Sequence, residues 1–222
     1  MYRLKKEKIT MEHKKVSKSV LKRLPGYLDY LKSMPENSGT HISATALANA
    51  LGMGEVQVRK DLAMVSDGGR PKIGYHRESL IDDIEQFLGY DNTTDAVLIG
   101  AGKLGQALLD YTGFEEYGVR ILAAFDLAPT LSQTEAGKPV HSMDRLREFC
   151  AEHKVRMGII TVPAAHAQTV CDQLINCGIR AIWNFAPTHL DVPANILVQH
   201  ENMATSLAVL SMHLQAQCKD KK

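Results

Sequence analysis

A glycine-rich loop between an apolar strand and a helix is the most constraining feature of this chain. The apolar run 96–99 leads directly into Gly100, Gly102 and Gly105 at the spacing G-x-G-x-x-G, and a helical pattern follows over 103–111. In a βαβ unit the first glycine permits the tight turn, the second lets a pyrophosphate approach, and the third lets the helix pack closely on the sheet. The pattern therefore predicts a dinucleotide-binding unit with the phosphates at the helix N-terminus. The residues predicted to hold them are Gly100, Ala101, Gly102, Lys103, Leu104 and Gly105.

The acid that ends the next strand predicts which dinucleotide is bound. The apolar strand 119–125 ends in Asp126, where a carboxylate accepts hydrogen bonds from the adenosine ribose and repels a 2′-phosphate. Leu127, Ala128 and Pro129 follow, so no arginine stands there to pair with such a phosphate. We therefore expect NADH or NAD as the cofactor, rather than the phosphorylated forms.

The remaining second half leaves little room for catalysis. Further apolar strands are predicted at 157–162, 180–185 and 195–199, followed by one C-terminal helix, so the nucleotide unit spans about 91–200. A dehydrogenase needs an additional lobe to hold its substrate. An enzyme interpretation nominates His166 as proton donor, but no acid partner supports it. The alternative functions that stay open are a small NAD-dependent oxidoreductase and a nucleotide-binding subunit of the kind found in CoA ligases.

Charge is distributed unevenly along the chain. Residues 1–77 hold 15 Lys and Arg against 7 Asp and Glu, whereas residues 78–222 hold 11 against 18, which together give the net charge of +1. The basic half predicts contact with a polyanion such as DNA. Seven of the positive charges lie in the first 18 residues, where a solvated basic arm is the simpler interpretation.

The basic half also carries the pattern of a small helical core. A first helix is predicted by apolar residues at helical spacing, which are Leu21, Leu24, Leu28 and Leu31. A second, short helix is expected between Ser43, a suitable N-cap, and Gly52, a suitable end. The residues expected to face inward from this second helix are Ala46, Leu47 and Ala50.

A third helix, predicted over 55–65 after a tight turn, has the character of a DNA recognition helix. Its apolar residues share one face, and they are Val58, Leu62 and Val65. Gln57, Arg59 and Lys60 lie away from that face, so they present hydrogen-bond donors to solvent. The second and third helices together predict a helix-turn-helix.

The glycine-rich segment 67–75 predicts a hairpin tip from which Arg70 and Lys72 project. A hairpin beside a recognition helix makes a winged helix, whose wing contacts the DNA backbone or the minor groove. The residues predicted to bind DNA are therefore Gln57, Arg59, Lys60, Arg70 and Lys72.

These two halves together resemble the Rex family of bacterial redox-sensing transcriptional repressors, over about residues 16–214. The matching motifs occur in the order and spacing of the family. In the first half they are Lys22-Arg23-Leu24-Pro25 with Tyr27-Leu28, Gln57-Val58-Arg59-Lys60-Asp61-Leu62, and Gly74-Tyr75. In the second half they are Gly100-Ala101-Gly102-Lys103-Leu104-Gly105, Phe125-Asp126, Thr161-Val162-Pro163, and Asn184-Phe185-Ala186-Pro187.

The resemblance implies a homodimer that binds a palindromic operator when NADH is scarce and releases it when NADH binds. It also implies a C-terminal helix that crosses to the partner subunit. An apolar stripe fits that role, made of Met203, Leu207, Leu210 and Leu214. A helix packed on its own sheet is the alternative. The expected fold is α/β, with a basic flexible arm at 1–15, a winged-helix DNA-binding domain at 16–85, a Rossmann-type NAD(H)-binding domain at 86–200, and a domain-swapped C-terminal dimerisation helix with its tail at 201–222.

A sensor of this kind has to separate NADH from NAD. An apolar surround penalises the positive ring of the oxidised nicotinamide and so favours the reduced form. Candidates for that surround are Val162, Pro163, Phe185, Ala186 and the partner's Met203. Thr161 and Asn184 belong to the same motifs, and they either contact the nucleotide or simply finish their strands.

Two positions depart from the family pattern. Asp29 stands where many members have arginine, and Asn202 stands where they have aspartate. The charged pair that is proposed to couple the two domains in the family is therefore absent here. This departure puts the strength of the switch in question more than nucleotide binding itself.

The remaining signals are weaker. The four cysteines form no C-x-x-C pair, so free thiols are expected, and oxidant sensing by Cys171 or Cys177 is the less favoured interpretation. With neither a signal peptide nor an apolar run long enough to cross a membrane, a cytoplasmic protein without a membrane partner is expected. Translation starts at either Met1 or Met11.

Overall fold

The chain forms two compact units, which a computed structural model describes over residues 17–35 and 38–219. The first unit reaches to Asn92 and the second begins at Thr93. The predicted basic arm at 1–15 and the alternative start at Met11 lie outside the described residues.

The first unit contains four helices and a small two-stranded sheet among its described residues. The helices are α1 Lys18–Ser33, α2 Ala44–Ala50, α3 Glu55–Val65 and α4 Arg77–Leu88. Strand β1 (His41–Ile42) pairs antiparallel with β2 (Tyr75–His76). The structure confirms the predicted third helix at its predicted bounds, and it confirms Ser43 as the N-cap of α2, since the Ala46 amide donates to its hydroxyl.

The core of the first unit confirms the leucine pattern of α1. Leu24, Leu28 and Leu31 are buried together with Val58 and Leu62 of α3. Leu21 and Val65 are only half-buried at the edge of the same core. The predicted apolar face of the first and third helices is therefore the one that packs inside.

Two expectations for this unit need correction. Ala46 and Ala50 are exposed, and the buried face of α2 is Ala44, Leu47 and Ala48, because these positions share one side of a helix that starts at Ala44. The division between the units follows Asn92 rather than residue 85, because α4 continues to Leu88 and Phe87 packs in the first core.

The second unit is built on a six-stranded, fully parallel sheet. Its strands are β3 Thr94–Ile99, β4 Val119–Asp126, β5 Val140–Ser142, β6 Met157–Ile160, β7 Ala181–Asn184 and β8 Leu197–His200. They lie in the order β5-β4-β3-β6-β7-β8. This is the strand order of the doubly wound dinucleotide-binding fold, and its topological switch point lies between β3 and β6.

Helices cover both faces of this sheet. The covering helices are α5 Lys103–Asp110, α6 Leu146–Glu152 and α7 Ala164–Asn176, with short 3-10 turns at Thr112–Tyr117 and Met143–Arg145. The C-terminal helix α8 Met203–Lys219 leaves its described side chains exposed. Alternate residues of β3 serve the two faces. Val97 and Ile99 pack with α6 and α7 in one cluster, and Leu98 packs with Leu109 of α5 in the other. Among the described residues, no helix combines the length and the apolar character that a membrane crossing requires.

Candidate nucleotide cleft and DNA-binding surface

The three loop glycines occupy three different environments. Gly100 has a φ of +103°, and a Cβ there would lie 3.0 Å from both Thr161 Oγ1 and Val162 Cγ1. A Cβ on Gly105 would lie 1.9 Å from the Gly100 carbonyl oxygen, so α5 approaches the strand too closely for any side chain. Gly102 faces open space. The loop thus has the predicted tight turn and close packing, and it leaves room at the predicted phosphate position.

Asp126 lies at the end of β4, beside the glycine loop. Its Oδ2 accepts a hydrogen bond from the Ala101 backbone N–H at 2.8 Å, and its Oδ1 accepts one from the Ala128 N–H at 3.1 Å. The carboxylate is half-buried and borders the cleft described next. Two backbone donors therefore hold this acid at the position where a dinucleotide-binding fold places the ribose hydroxyls.

A cleft of about 340 Å³ opens at the carboxyl ends of β3, β4 and β6. Ligands bind in this place in doubly wound folds. Its lining includes the predicted residues Gly100, Gly102, Asp126, Thr161, Val162 and Pro163. Thr161 also has a structural task, because its hydroxyl lies 2.8 Å from the Gly100 carbonyl oxygen and 3.0 Å from that of Ile99. It therefore ties the end of β6 to the glycine loop.

Helix α7 also lines the cleft, and of its lining residues only His166 was considered from the sequence, as a proton donor in the enzyme interpretation. The residues concerned are His166, Thr169, Val170 and Gln173, with Leu127 and Met143 from other elements. The four helical positions follow the spacing i, i+3, i+4 and i+7, which defines one helix face. That spacing, starting three residues after Pro163, is a signal that the sequence offers.

Asn184 and Phe185 lie elsewhere than predicted. Asn184 is completely buried, and its amide is fully used: Nδ2 donates to the carbonyl oxygens of Ala186 and Thr188, and Oδ1 accepts from the Ala186 N–H. His200 Nδ1 lies 3.1 Å from the same Nδ2. Asn184 thus shapes the turn after β7 instead of lining the cleft. The Phe185 ring packs 4.5 Å from Trp183, on the sheet face covered by α5.

The outer side of α3 carries the predicted DNA-binding side chains. Gln57, Arg59 and Lys60 are all exposed. Arg59 forms an ion pair with Glu55 one turn earlier on the same helix. Asp61 of the same helix is buried and bonded to Arg23 of α1, a role that no pattern in the sequence indicates.

The segment after α3 forms the expected tight hairpin. Arg70 and Gly74 exchange two backbone hydrogen bonds, each of 2.9 Å, around a turn whose Lys72 has a φ of +66°. A Cβ on Gly74 would lie 2.3 Å from the Ile42 carbonyl oxygen, so only glycine fits where the hairpin joins the small sheet. The side chains of Arg70 and Lys72 are exposed, as predicted for a wing.

The described cysteines are unpaired and held as thiols. Cys150 and Cys171 are fully buried, and burial raises the pKa of each to about 11. Burial also raises the pKa of Cys177. Because the thiolate is the reactive form, these sites lack the property that oxidant sensing requires.

A helical unit whose third helix exposes Arg59 and Lys60, joined in one chain to a doubly wound unit with an open cleft beside a glycine-rich loop, is typical of a nucleotide-responsive transcription regulator. Two family models match the two units. The model described as putative DNA-binding protein N-terminus matches residues 15–63, and the CoA binding domain matches residues 91–188.

Curated relatives give the family. A redox-sensing transcriptional repressor Rex from Porphyromonas gingivalis is 39% identical over 197 residues, covering 88% of this chain and 90% of the relative. One from Clostridium beijerinckii is 39% identical over 200 residues, covering 90% and 95%. The chain belongs to the Rex family of redox-sensing transcriptional repressors. The alternative prediction of an oxidoreductase or a CoA-ligase-like subunit does not agree with this membership.

Solved structures of a Rex-family repressor are similar to this chain over nearly its whole length. A crystal structure of RSP in complex with beta-NAD+ and operator DNA has a TM-score of 0.84 and 34% identity, covering 93% of this chain and 95% of that one. A structure of RSP in complex with beta-NADH has a TM-score of 0.81 at the same identity, covering 93% and 97%. Both cofactor forms and operator DNA are therefore ligands of a solved relative.

Proposed function

We propose that this protein binds a palindromic operator as a homodimer and releases it when NADH occupies the cleft of the second unit. The observation that carries the proposal is the open space at Gly102 beside Asp126, in the same chain as an exposed reading helix. A ligand changes DNA affinity only through a difference in its own affinity for the two states of the dimer. By linkage, operator DNA weakens NADH binding by the same factor.

The cleft favours NAD(H) over phosphorylated nucleotides. Asp126 places a carboxylate where the adenosine ribose lies, and a negative charge there repels a phosphate on that ribose. CoA also carries a phosphate on its adenosine ribose, so the same charge disfavours CoA, although a CoA-binding model describes this fold. The phosphate-holding residues in this proposal are the loop residues 100–105.

Discrimination between the oxidised and reduced ring rests on an apolar wall. Val162 and Pro163 line the cleft and offer no counter-charge to a positive nicotinamide. Ala186 lies in the core cluster against which Val162 packs, whereas Phe185 packs on the other face of the sheet and does not belong to this wall. Met203, exposed at the start of α8, is proposed to reach the partner's cleft.

The DNA-binding residues divide by position. Gln57 and Lys60 project from the outer side of α3 and are proposed to read bases in the major groove. Arg59 is paired with Glu55 through Nη2, so its remaining N–H donors are the ones proposed to contact a DNA phosphate. Arg70 and Lys72 project from the hairpin and are proposed to hold the backbone or minor groove as a wing.

Dimerisation is proposed to occur through α8, which enters the partner subunit. Every described side chain of this helix is exposed within its own chain, including Leu207 at 68% and Leu210 at 65%. An apolar helix with this exposure needs cover from another surface. These exposures disfavour the alternative in which α8 packs on its own sheet. A second copy of the chain is the partner that we propose.

The two departures from the family have different consequences. Asn202 caps α8, because its Oδ1 accepts a hydrogen bond from the Thr205 N–H at 3.0 Å. Asparagine and aspartate are about equally good N-caps, so this substitution keeps the start of α8 intact. Asp29 lies exposed on α1. We propose that the coupling of the two units here does not depend on an ion pair between positions 29 and 202.

The test is a titration of NADH, and separately of NAD+, into the protein bound to a labelled palindromic operator at one fixed salt concentration. Release by NADH at concentrations where NAD+ leaves the complex intact supports the proposal. Repeating the titration with Asp29→Arg/Asn202→Asp tests the last point, since an unchanged NADH response agrees with coupling that needs no such pair. DNA binding that ignores both nucleotides contradicts the proposed switch.

A further inference from the structure

A buried carboxylate joins the recognition helix α3 to α1. Asp61 is only 2% exposed. Arg23 donates two parallel hydrogen bonds to this carboxylate, from Nε to Oδ2 at 2.8 Å and from Nη2 to Oδ1 at 2.9 Å. The Tyr27 hydroxyl donates to Oδ2 at 2.8 Å. Burial, reinforced by the bond to Asp61, raises the pKa of Tyr27 to about 12, so the phenol keeps its proton. Three donors therefore fix the carboxylate, and the carboxylate fixes the orientation of Arg23.

Arg23 of α1 has a second partner on α3, which is the side chain of Gln57. Gln57 precedes Asp61 by four residues, so the two side chains lie on one side of α3. A guanidinium has only donors, so the amide of Gln57 turns its oxygen toward Arg23. That oxygen lies 3.0 Å from Nη1 and 2.8 Å from Nε, and because the single Nε–H already donates to Asp61, Nη1 is the donor to Gln57. The oxygen is thereby held against the guanidinium, and the NH₂ group of the amide points away from it.

The NH₂ group of the Gln57 amide, which does not face Arg23, defines what Gln57 can recognise. A free glutamine reads adenine with both ends, because its NH₂ donates to N7 and its oxygen accepts from the N6 amino group. With the oxygen occupied by Arg23, only the two N–H donors remain. Gln57 itself is exposed in the first turn of α3, so these donors are available to a partner.

We propose that the Arg23–Asp61 pair converts Gln57 into a donor-only reader, which selects a base-edge acceptor such as N7, guanine O6 or thymine O4 in the operator. Arg23 is then a specificity-determining positioning residue, which acts through Gln57 without itself reading a base. This inference rests on the proposed binding of operator DNA and adds the chemical class of the group that is read.

The experiment removes single base-edge groups from an operator that the wild-type protein has selected from random palindromic DNA. One series of base analogues removes the acceptors N7, O6 and O4 one at a time, and the other removes the donors on adenine N6 and cytosine N4. Affinity is measured for the wild-type protein and for Gln57→Ala. We expect one acceptor whose removal weakens wild-type binding about tenfold and leaves Gln57→Ala unaffected. A Gln57-dependent loss at a donor group, or no Gln57-dependent position, overturns the inference.

The role of Arg23 is tested by Arg23→Lys, which keeps the charge but loses the two-pronged grip. We expect the Gln57-dependent loss to shrink from about tenfold to about twofold or less, while the salt dependence of binding stays the same. Lys32→Arg is the matched control, because Lys32 lies on the same helix and pairs with Glu85 at 2.7 Å. It is expected to leave the base preference unchanged.

Two results separate the possible failures. If Arg23→Lys weakens binding to every operator equally while the acceptor dependence stays tenfold, Arg23 only supports the fold and the inference is wrong. Asp61→Asn removes the same paired hydrogen bonds from the other side and is used if Arg23→Lys does not fold. We expect the Gln57-dependent loss to shrink in this variant as well. If the wild-type protein selects no sequence at all, the proposed operator binding fails as well.

Discussion

The Asp126 carboxylate accepts a hydrogen bond of 2.8 Å from the Ala101 backbone N–H, which ties the end of β4 to the glycine-rich loop. Its other oxygen is held by the Ala128 N–H. The acid that is proposed to bind the ribose is therefore placed by the loop that is proposed to bind the phosphates. The proposed sites for the adenosine ribose and the pyrophosphate are therefore joined by a hydrogen bond within one connected structure.

Replacing Asp126 by asparagine tests the charge separately from the loop. Asp126→Asn keeps an oxygen that can accept from Ala101, so the fold is expected to survive. NADH affinity is expected to fall about tenfold, because hydrogen bonds to a charged group contribute about 1.5–3 kcal/mol. The preference for NADH over NADPH narrows at the same time, since the repelling charge is gone. Fluorescence titrations of both nucleotides measure this, and an unchanged preference contradicts the assignment of Asp126.

Two alanine substitutions in the glycine loop are expected to affect different properties, one the stability of the protein and the other its affinity for NADH. Gly105→Ala forces a Cβ against the Gly100 carbonyl oxygen, so it destabilises the protein by about 1–3 kcal/mol in denaturant unfolding. Gly102→Ala enters open space, so stability changes by about 0.5 kcal/mol or less, while NADH binding weakens. The proposed phosphate site is wrong if Gly102→Ala binds NADH as the wild type does.

A charge on the apolar stripe of α8 is expected to separate the dimer. Leu207→Glu places a carboxylate among exposed apolar side chains that are proposed to contact a second copy. Light scattering is expected to show a shift to monomers at micromolar concentration. Thr205→Glu is the control, because position 205 lies on the opposite side of the helix from the stripe. A stable Leu207→Glu dimer with wild-type mass argues for a different interface.

Burial of the thiols predicts both slow labelling and a loss of stability at high pH. The pKa of Cys150 and of Cys171 is raised from 9.0 to about 11 in the folded protein, so the unfolded chain loses these protons first. Their contribution to stability is complete below pH 9 and is lost as the pH rises toward 11. At pH 8, iodoacetamide is expected to label both far more slowly in the folded protein than in denaturant. Fast labelling of the folded protein reopens thiol sensing.

Local signals made much of this fold predictable. The glycine spacing and the acid after the next strand located the nucleotide unit. Glycine is required at Gly100 and Gly105 by the local backbone, so the requirement is visible in the sequence. Helix α3 was predicted at its observed bounds because a tight turn ends at Gly54 and the apolar face of the helix runs from Val58 to Val65. The predicted inward face of α2 was wrong at Ala46 and Ala50 because alanine occurs on both sides of this helix, so hydropathy does not distinguish the two sides.

Long-range hydrogen bonding set the limit of prediction. Asn184 looked like a ligand-binding residue, but its amide is used up by a turn that only the folded chain reveals. Asp61 gave no signal of burial, because its partner Arg23 lies 38 residues earlier in the chain. The face of α7 that lines the cleft, in contrast, was readable from its helical spacing.

The coupling between the two units is the central claim, and one equilibrium measurement tests it most directly. The NADH dissociation constant is measured for the free protein and for the protein saturated with operator, at the same salt concentration. The account predicts weaker NADH binding on the operator, by the same factor by which saturating NADH weakens operator binding. Equal NADH affinity in the two states contradicts it, because a ligand that does not distinguish two states cannot shift their balance.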